Sequence, residues 1–482
     1  DFEAPLCVQE ALAAYLKTAV YGYYHPPKEY LESFIKWEAD WHTYQVEKEW
    51  IRFVPGVVPA IYWMIQTVTK PQEHVLILPP VYYPFFHAIE ESDRRLSQCP
   101  LRYGEDGSYT MDLRGIEQCI KEEQVKLFLL CSPHNPAGRA WKREELKAVL
   151  DLCKKYHVFV LADEIHQDLI LEPNEQIAAA TVGDYDSILV TVTSATKTFN
   201  IAGCQNAFII LPDAEIRRKF DQTLCRLHMK EGSSFGYVAV QAAYTYGRPW
   251  LELVRKQILE NYNCLKTNLI KLLPEAILTP LEGTYLAWIN LEAYLKNADV
   301  CEMVQGKCHL AVDYGEWFGG EQYRSFIRIN LATKQEYIEE AVKRLATEGF
   351  PYFSEELDND DDVHLFVRWA LAESIHIPNQ TLIDNIELSF NKVYERANNM
   401  LENSDSILIL GKDTGESMEL LKRIQTYLDN KGFYTYIIKE QPDLLGESVM
   451  QKVLRYALSS RLVIIENTEP SGHLYEFPHI VK

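Results

Sequence analysis

No Cys-x-x-Cys pair occurs among the ten cysteines, and neither these nor the 13 histidines fall at metal-ligand spacing. A zinc module and a disulfide scaffold are therefore not expected, and no metal is assigned. Scattered thiols of this kind suit a reducing cytoplasm. Also missing are a signal-peptide pattern and any apolar run long enough to cross a bilayer, so no membrane partner is expected. Basic charge is short. The 48 Lys and Arg face 69 Asp and Glu, a net charge of −21 over 482 residues. That balance argues against nucleic acid as a main partner and leaves small ligands open. Neither a Gly-x-Gly-x-x-Gly fingerprint nor the Gly-Lys-Ser/Thr ending of a phosphate loop is present.

What is present is a rhythm. Short apolar runs alternate with helical patterns: HVLIL (74–78), VKLFLLC (125–131), VFVLAD (158–163), SILVTVT (187–193) and NAFIIL (206–211). REELKAVLDLCKKY (143–156) is helical by its apolar spacing. This alternation predicts an α/β layered domain with a mostly parallel sheet. From about residue 240 a long helix (250–273), two strands (284–291 and 325–332) and a last helix (334–349) read as a smaller α/β lobe. The expected organisation is a domain over 1–350, with a large lobe of about 26–240 and a small lobe of about 241–350 plus the N-terminal segment. SEELDNDDD (354–362) opens an acidic linker with helical patterns to about 404. A second βα series over 405–482 predicts a small Rossmann- or flavodoxin-like domain. Residues 351–482 carry 22 acidic against 12 basic side chains and no cysteine.

Ligands of an open α/β sheet gather where strands end. Here VKLFLLC runs into Asn135, VFVLAD ends in Asp163, and SILVTVT runs into SATK with Lys197. An amide, a carboxylate and an amine at three strand ends suit pyridoxal 5'-phosphate. The amine condenses with its aldehyde, the carboxylate keeps its ring nitrogen protonated, and the amide bonds its phenolic oxygen. Each residue also has a plain structural reading. Asp163 is a fit helix N-cap, Asn135-Pro136 a turn, Tyr82 a core aromatic and Arg328 half of a surface ion pair. It is their joint occurrence, in this order, that points to the cofactor.

VPGVVPA (54–60), PPVYYPFF (79–86), SPHNPAGR (132–139), ADEIH (162–166), SATKTFNIAG (194–203) and FIRINLA (326–332) together resemble the class I/II aminotransferase superfamily of fold-type I enzymes. They are most similar to its cystathionine β-lyase (MalY/PatB-type) subgroup. The resemblance covers residues 1–350 and implies a seven-stranded large-domain sheet. It implies that Lys197 bears the cofactor and shuttles the proton, that Asp163 pairs with the ring nitrogen, and that Asn135 bonds the phenolic oxygen. Tyr82 would stack on the ring, and His166 stands where related aminotransferases often carry tyrosine. The amides of Gly56, Val57 and Val58 and the Ser194 hydroxyl would cradle the phosphate. Arg328 would clamp the substrate carboxylate, and Tyr23 would reach the neighbouring subunit's phosphate in a homodimer. Gln205 stands where many aminotransferases place a phosphate-binding arginine, which favours the lyase subgroup. The family's pocket-lining segment precedes the point where this chain opens at DFEAP. Cys131 and Cys204 read as core residues, having no activating partner.

The implied reaction is α,β-elimination from a sulfur amino acid, giving pyruvate, ammonia and a thiol. The runner-up is an aminotransferase, which shares every step through loss of the Cα proton. A third reading is an inactive scaffold or sensor coupled to the tail. RLVIIENTEPSGHLYEF (461–477) is loosely similar to TIR-like and nucleoside deoxyribosyltransferase-like families, which would make Glu476 act on an N-glycosidic bond. The competing reading is an interaction domain in which Glu476 is a first-turn helix acid.

Overall fold

The computed structural model describes residues 2–295, 299–346, 406–410, 415–430, 434–437, 440 and 462–465. Contacts divide the chain into one unit within residues 1–373 and another within 374–482.

In the first unit the strands are β1 Ile51–Val54, β2 His74–Ile77, β3 Arg95–Gln98, the short hairpin β4 Arg102–Tyr103 and β5 Tyr109–Thr110, then β6 Leu127–Cys131, β7 Phe159–Asp163, β8 Leu189–Thr193 and β9 Ala207–Ile210. Seven form one sheet in the order β1-β9-β8-β7-β6-β2-β3. Five neighbours from β3 to β8 run parallel. β9 runs antiparallel to both β8 and β1. Every residue of β6 and β8 is buried, which is why β6 reads as an unbroken apolar run and β8 as a run of apolar and β-branched residues without alternation.

Period two sorts their side chains. Phe128, Leu130, Val160 and Ala162 enter one core with Leu146, Val149, Leu150 and Cys153. Leu127, Leu129, Leu161, Val190 and Val192 enter the opposite core with Ile61, Met64 and Ile65. The helix Arg143–Tyr156 buries residues 146, 149, 150 and 153, one stripe at helical spacing. The Glu145 carboxylate accepts from the Lys142 backbone N–H at 2.9 Å, and His157 closes the helix with φ 56°. Each buried Leu or Val of that stripe contributes about 1.5–3 kcal/mol.

The outer strands depart from the sequence reading. β9 runs against its neighbours within the mostly parallel sheet that the sequence predicts, whereas the sequence reading assigns no strand to β1 or β3. Arg52 breaks the apolar pattern of β1, and the edge strand β3, with one apolar residue in four, is exposed at both ends.

The smaller lobe holds β10 Ile277–Leu278, β11 Leu286–Asn290, β12 Asp313–Tyr314 and β13 Phe326–Asn330, an antiparallel sheet ordered β10-β11-β13-β12. The long helix is Arg248–Leu272, as its periodicity indicates, and it packs on the helix Gln335–Ala346. The helix Leu6–Leu16 packs on the helix Ser234–Tyr246.

In the second unit β14 Ser406–Leu410, the helix Gly415–Asn430, β15 Tyr434–Ile437 and β16 Leu462–Ile465 are described. The sheet is parallel, ordered β15-β14-β16, so the first strand is central, as in doubly wound folds. The expected linker, and residues 441–461 of the expected βα series, lie outside the described residues. No helix among the described residues is long and apolar enough to cross a membrane.

Candidate active site

The parallel register brings the predicted residues together. Cys131 of β6 pairs with Asp163 of β7, and Asp163 pairs with Val192 of β8. Asn135 and Lys197 therefore leave the sheet on either side of Asp163. Lys197 lies in a one-turn helix, Ala195–Thr198. Asp163 is 3% exposed, and burial pushes its carboxyl up to about 7, against a backbone bond from Ile165 and the Lys197 charge. Burial lowers the Lys197 pKa, the Arg328 cation lowers it further, and Asp163 opposes both.

Arg328 reaches this cluster from β13. Antiparallel register sets it opposite Asp313 of β12 and Trp288 of β11. Its Nε donates to Asp313 Oδ2 at 3.0 Å, a second donor, Nη2, reaches the same oxygen, and Nη1 donates to Asn135 Oδ1 at 2.7 Å. The guanidinium also lies over the Phe318 ring, 4.8 Å from its centroid. Of its five N–H bonds, three are thus used, and one on each Nη is left. That pair of donors matches a carboxylate.

His166 is buried, its Nδ1 has no partner, and its ring meets Tyr285 edge-on at 5.7 Å. Burial and the Lys197 and Arg328 charges push its pKa down to about 3, so it is a neutral imidazole at physiological pH. Tyr82 is half-buried; burial and the Asp163 charge raise its phenol to about 12. Gly56, Val57 and Val58 form the N-terminus of the 12-residue helix Val57–Val68, where backbone N–H groups point outward. The Ser194 hydroxyl donates to the Asn206 carbonyl at 2.7 Å and accepts from the Thr196 N–H at 3.0 Å. Here it caps the lysine turn, and serving a phosphate requires exchange of the Asn206 bond.

Tyr23 is fully exposed. Glu476 lies outside the described residues. Cys131 is buried and burial raises its thiol, in accord with a core role. Cys204 is half-buried rather than core, and burial raises its thiol too. Asp313 and Tyr285 escaped the sequence reading. Their place depends on cross-strand register and on a loop approach, and neither carries a local signal. Among the described residues no cluster of His, Cys, Asp and Glu could hold a metal ion.

A buried acid, an amine of lowered pKa beside it, an amide, a flanking phenol ring and a helix N-terminus define a class of site. It suits an aromatic aldehyde cofactor with a basic ring nitrogen and an anionic arm. The family described as aminotransferase class I and II matches residues 6–345, and the chain belongs to it. Cystathionine beta-lyase PatB of Bacillus subtilis is 35% identical over 349 residues, covering 72% of this chain and 89% of that protein. Protein MalY of Escherichia coli is 28% identical, covering 72% and 88%. The crystal structure of cystalysin from Treponema denticola, which contains pyridoxal 5'-phosphate, is 35% identical with a TM-score of 0.69 and coverage of 72% and 88%. The PLP-bound C-S lyase from Staphylococcus hominis is 28% identical, with a TM-score of 0.69 and coverage of 72% and 89%.

Proposed function

We propose that the protein is a pyridoxal 5'-phosphate-dependent carbon–sulfur β-lyase acting on sulfur amino acids. The observation that carries the reading is the meeting of Lys197, Asp163 and Asn135 at adjacent strand ends with the two open donors of Arg328. Relatives named cystathionine β-lyase and C-S lyase support elimination as the outcome.

Lys197 would hold the cofactor, Asp163 its ring nitrogen and Asn135 its phenolic oxygen, with Tyr82 on the ring face. The first-turn amides of Gly56, Val57 and Val58 would take the phosphate. When bound, the cofactor supplies an electron sink for charge developing at Cα. Arg328 binds the substrate carboxylate through its remaining Nη donors and so orients Cα. The Lys197 Nζ, its pKa lowered, takes the Cα proton. Loss of thiolate from Cβ and hydrolysis give pyruvate, ammonia and a thiol. His166, neutral and packed on Tyr285, fills the flank without adding charge.

Borohydride reduction of the cofactor-loaded chain should leave a pyridoxyl adduct on Lys197 in peptide maps. With cystathionine, thiol and pyruvate should appear together. Transfer to a keto-acid acceptor without pyruvate would favour the aminotransferase reading, and no adduct would favour the inactive scaffold.

A homodimer is part of the proposal, with the exposed Tyr23 reaching a partner's phosphate site; light scattering tests it. All ten cysteines are free, which supports a cytoplasmic setting. The tail is proposed as a protein-interaction or nucleotide-binding module. If its Glu476 acts on an N-glycosidic bond, Glu476→Gln should abolish cleavage of NAD or a nucleoside.

A further inference from the structure

Behind the lysine turn lies a second, fully buried polar cluster that the reaction does not use. Asp168 is 4% exposed and carries three side-chain hydrogen bonds. Its Oδ1 accepts from Trp37 Nε1 and pairs with His42 Nε2, each at 2.8 Å; its Oδ2 accepts from the Thr198 hydroxyl at 2.7 Å. Trp37 and His42 come from the helix Lys28–His42, Asp168 from the loop after β7, and Thr198 follows Lys197 directly. Burial alone would raise the Asp168 pKa, but the His42 bond and charge and the Thr198 and Trp37 bonds hold it down. Burial disfavours the His42 imidazolium, but the Glu38 and Asp168 carboxylates outweigh it and hold its pKa up. The pair is therefore an ionised one, with Glu38, Glu164 and Gln167 packed around it.

A four-residue helix cannot hold its own shape, because one turn does not repay its nucleation cost. The turn Ala195–Thr198 is fastened at its start by Ser194, which caps Thr196, and at its end by Thr198 on Asp168. An aspartate buried without water is itself costly unless every oxygen is served. Trp37 and His42 serve Oδ1 and leave Oδ2 to the turn. Apolar side chains could fill such a space at less cost in desolvation, so the charge is best explained by what it holds.

We propose that Asp168, held by His42 and Trp37, is a positioning residue for Lys197, fixing through the Thr198 hydroxyl the turn that carries the reacting amine. The inference rests on the reading of Lys197 as the cofactor-bearing lysine. Lys197 faces Arg328 and Asp163, and burial contributes most to its lowered pKa; loosening the turn admits water and removes that contribution.

The test uses the full chain in parental form and as Thr198→Val, Thr198→Ser and Trp37→Phe. In protein stripped of cofactor, the rate of Lys197 modification by trinitrobenzene sulfonate is followed against pH by peptide mass spectrometry. The midpoint should rise by about one pH unit in Thr198→Val, roughly a tenfold loss of free amine at fixed pH. It should stay parental in Thr198→Ser and rise by a smaller amount in Trp37→Phe. In the loaded enzyme, the pH midpoint of the visible cofactor band should move in the same variants. A Thr198→Val profile that superimposes on the parent overturns the proposal, as does a failure of Thr198→Ser to restore it. Should Thr198→Val not fold, an unshifted Trp37→Phe profile overturns it. A parent that shows the labelling profile but develops no visible band with pyridoxal 5'-phosphate refutes the cofactor reading instead.

Discussion

Replacing Arg328 with lysine keeps the positive charge and removes the fork. In the structure the guanidinium spends three N–H bonds on Asp313 and Asn135 and keeps two for a carboxylate. An ammonium has only three N–H bonds on a compact head and cannot present two parallel donors while also holding Asp313. At least one charge-assisted bond to substrate is lost, worth about 1.5–3 kcal/mol, together with part of the orientation. A total of about 2–4 kcal/mol corresponds to roughly a 30- to 700-fold fall in kcat/KM. The carboxylate is bound in ground and transition states alike, so most of the loss should fall on KM. Steady-state pyruvate release with cystathionine measures both constants. An Asp313→Asn companion, which keeps an acceptor but drops the charge, should couple to Arg328→Lys by more than about 1 kcal/mol in a double-mutant cycle. If KM for the amino acid is unchanged in Arg328→Lys, the clamp assignment is wrong and Arg328 is only a partner of Asp313.

The cofactor-free chain should lose stability as pH rises from about 4 to 7, because Asp163 keeps its proton to about 7 when folded but gives it up near 4 when unfolded. That ionisation costs the folded state up to roughly 4 kcal/mol above pH 7, so Asp163→Asn should melt higher than the parent at pH 8 while losing turnover; equal melting would refute the burial argument. His42 acts with the opposite chemistry: its raised pKa means that the stability it contributes is present below pH 6.5 and is lost as pH climbs through about 9. His42→Gln leaves Asp168 buried without a cation and should cost about 3–5 kcal/mol at pH 6 by urea unfolding, with a smaller difference at pH 10. Leu150→Ala, a cavity beneath the sheet at a fully buried position, should cost about 2–5 kcal/mol without altering KM.

Local sequence determined a good part of this protein. Runs at residues 127–131, 159–163 and 189–193 are strands because apolar and β-branched residues fill them up to the polar residues at their ends, and the stripe at 146, 149, 150 and 153 makes its helix by spacing alone. Lys197, Asp163 and Asn135 were legible because Asp163 ends such a strand and the other two follow one within four residues, so chain continuity alone sets each one at the sheet's edge. The tertiary structure decided the rest. Asp313 became the partner of Arg328 through the register of two antiparallel strands, and Asn135 meets Arg328 across 193 residues of chain. Asp168 finds His42 across 126 residues and Trp37 across 131. A histidine and a tryptophan on an amphipathic helix look like ordinary surface and core residues until folding removes the water around them. Only that desolvation turns them into the ion pair and hydrogen bond that hold the lysine turn, since it makes an unpaired charge too costly to keep.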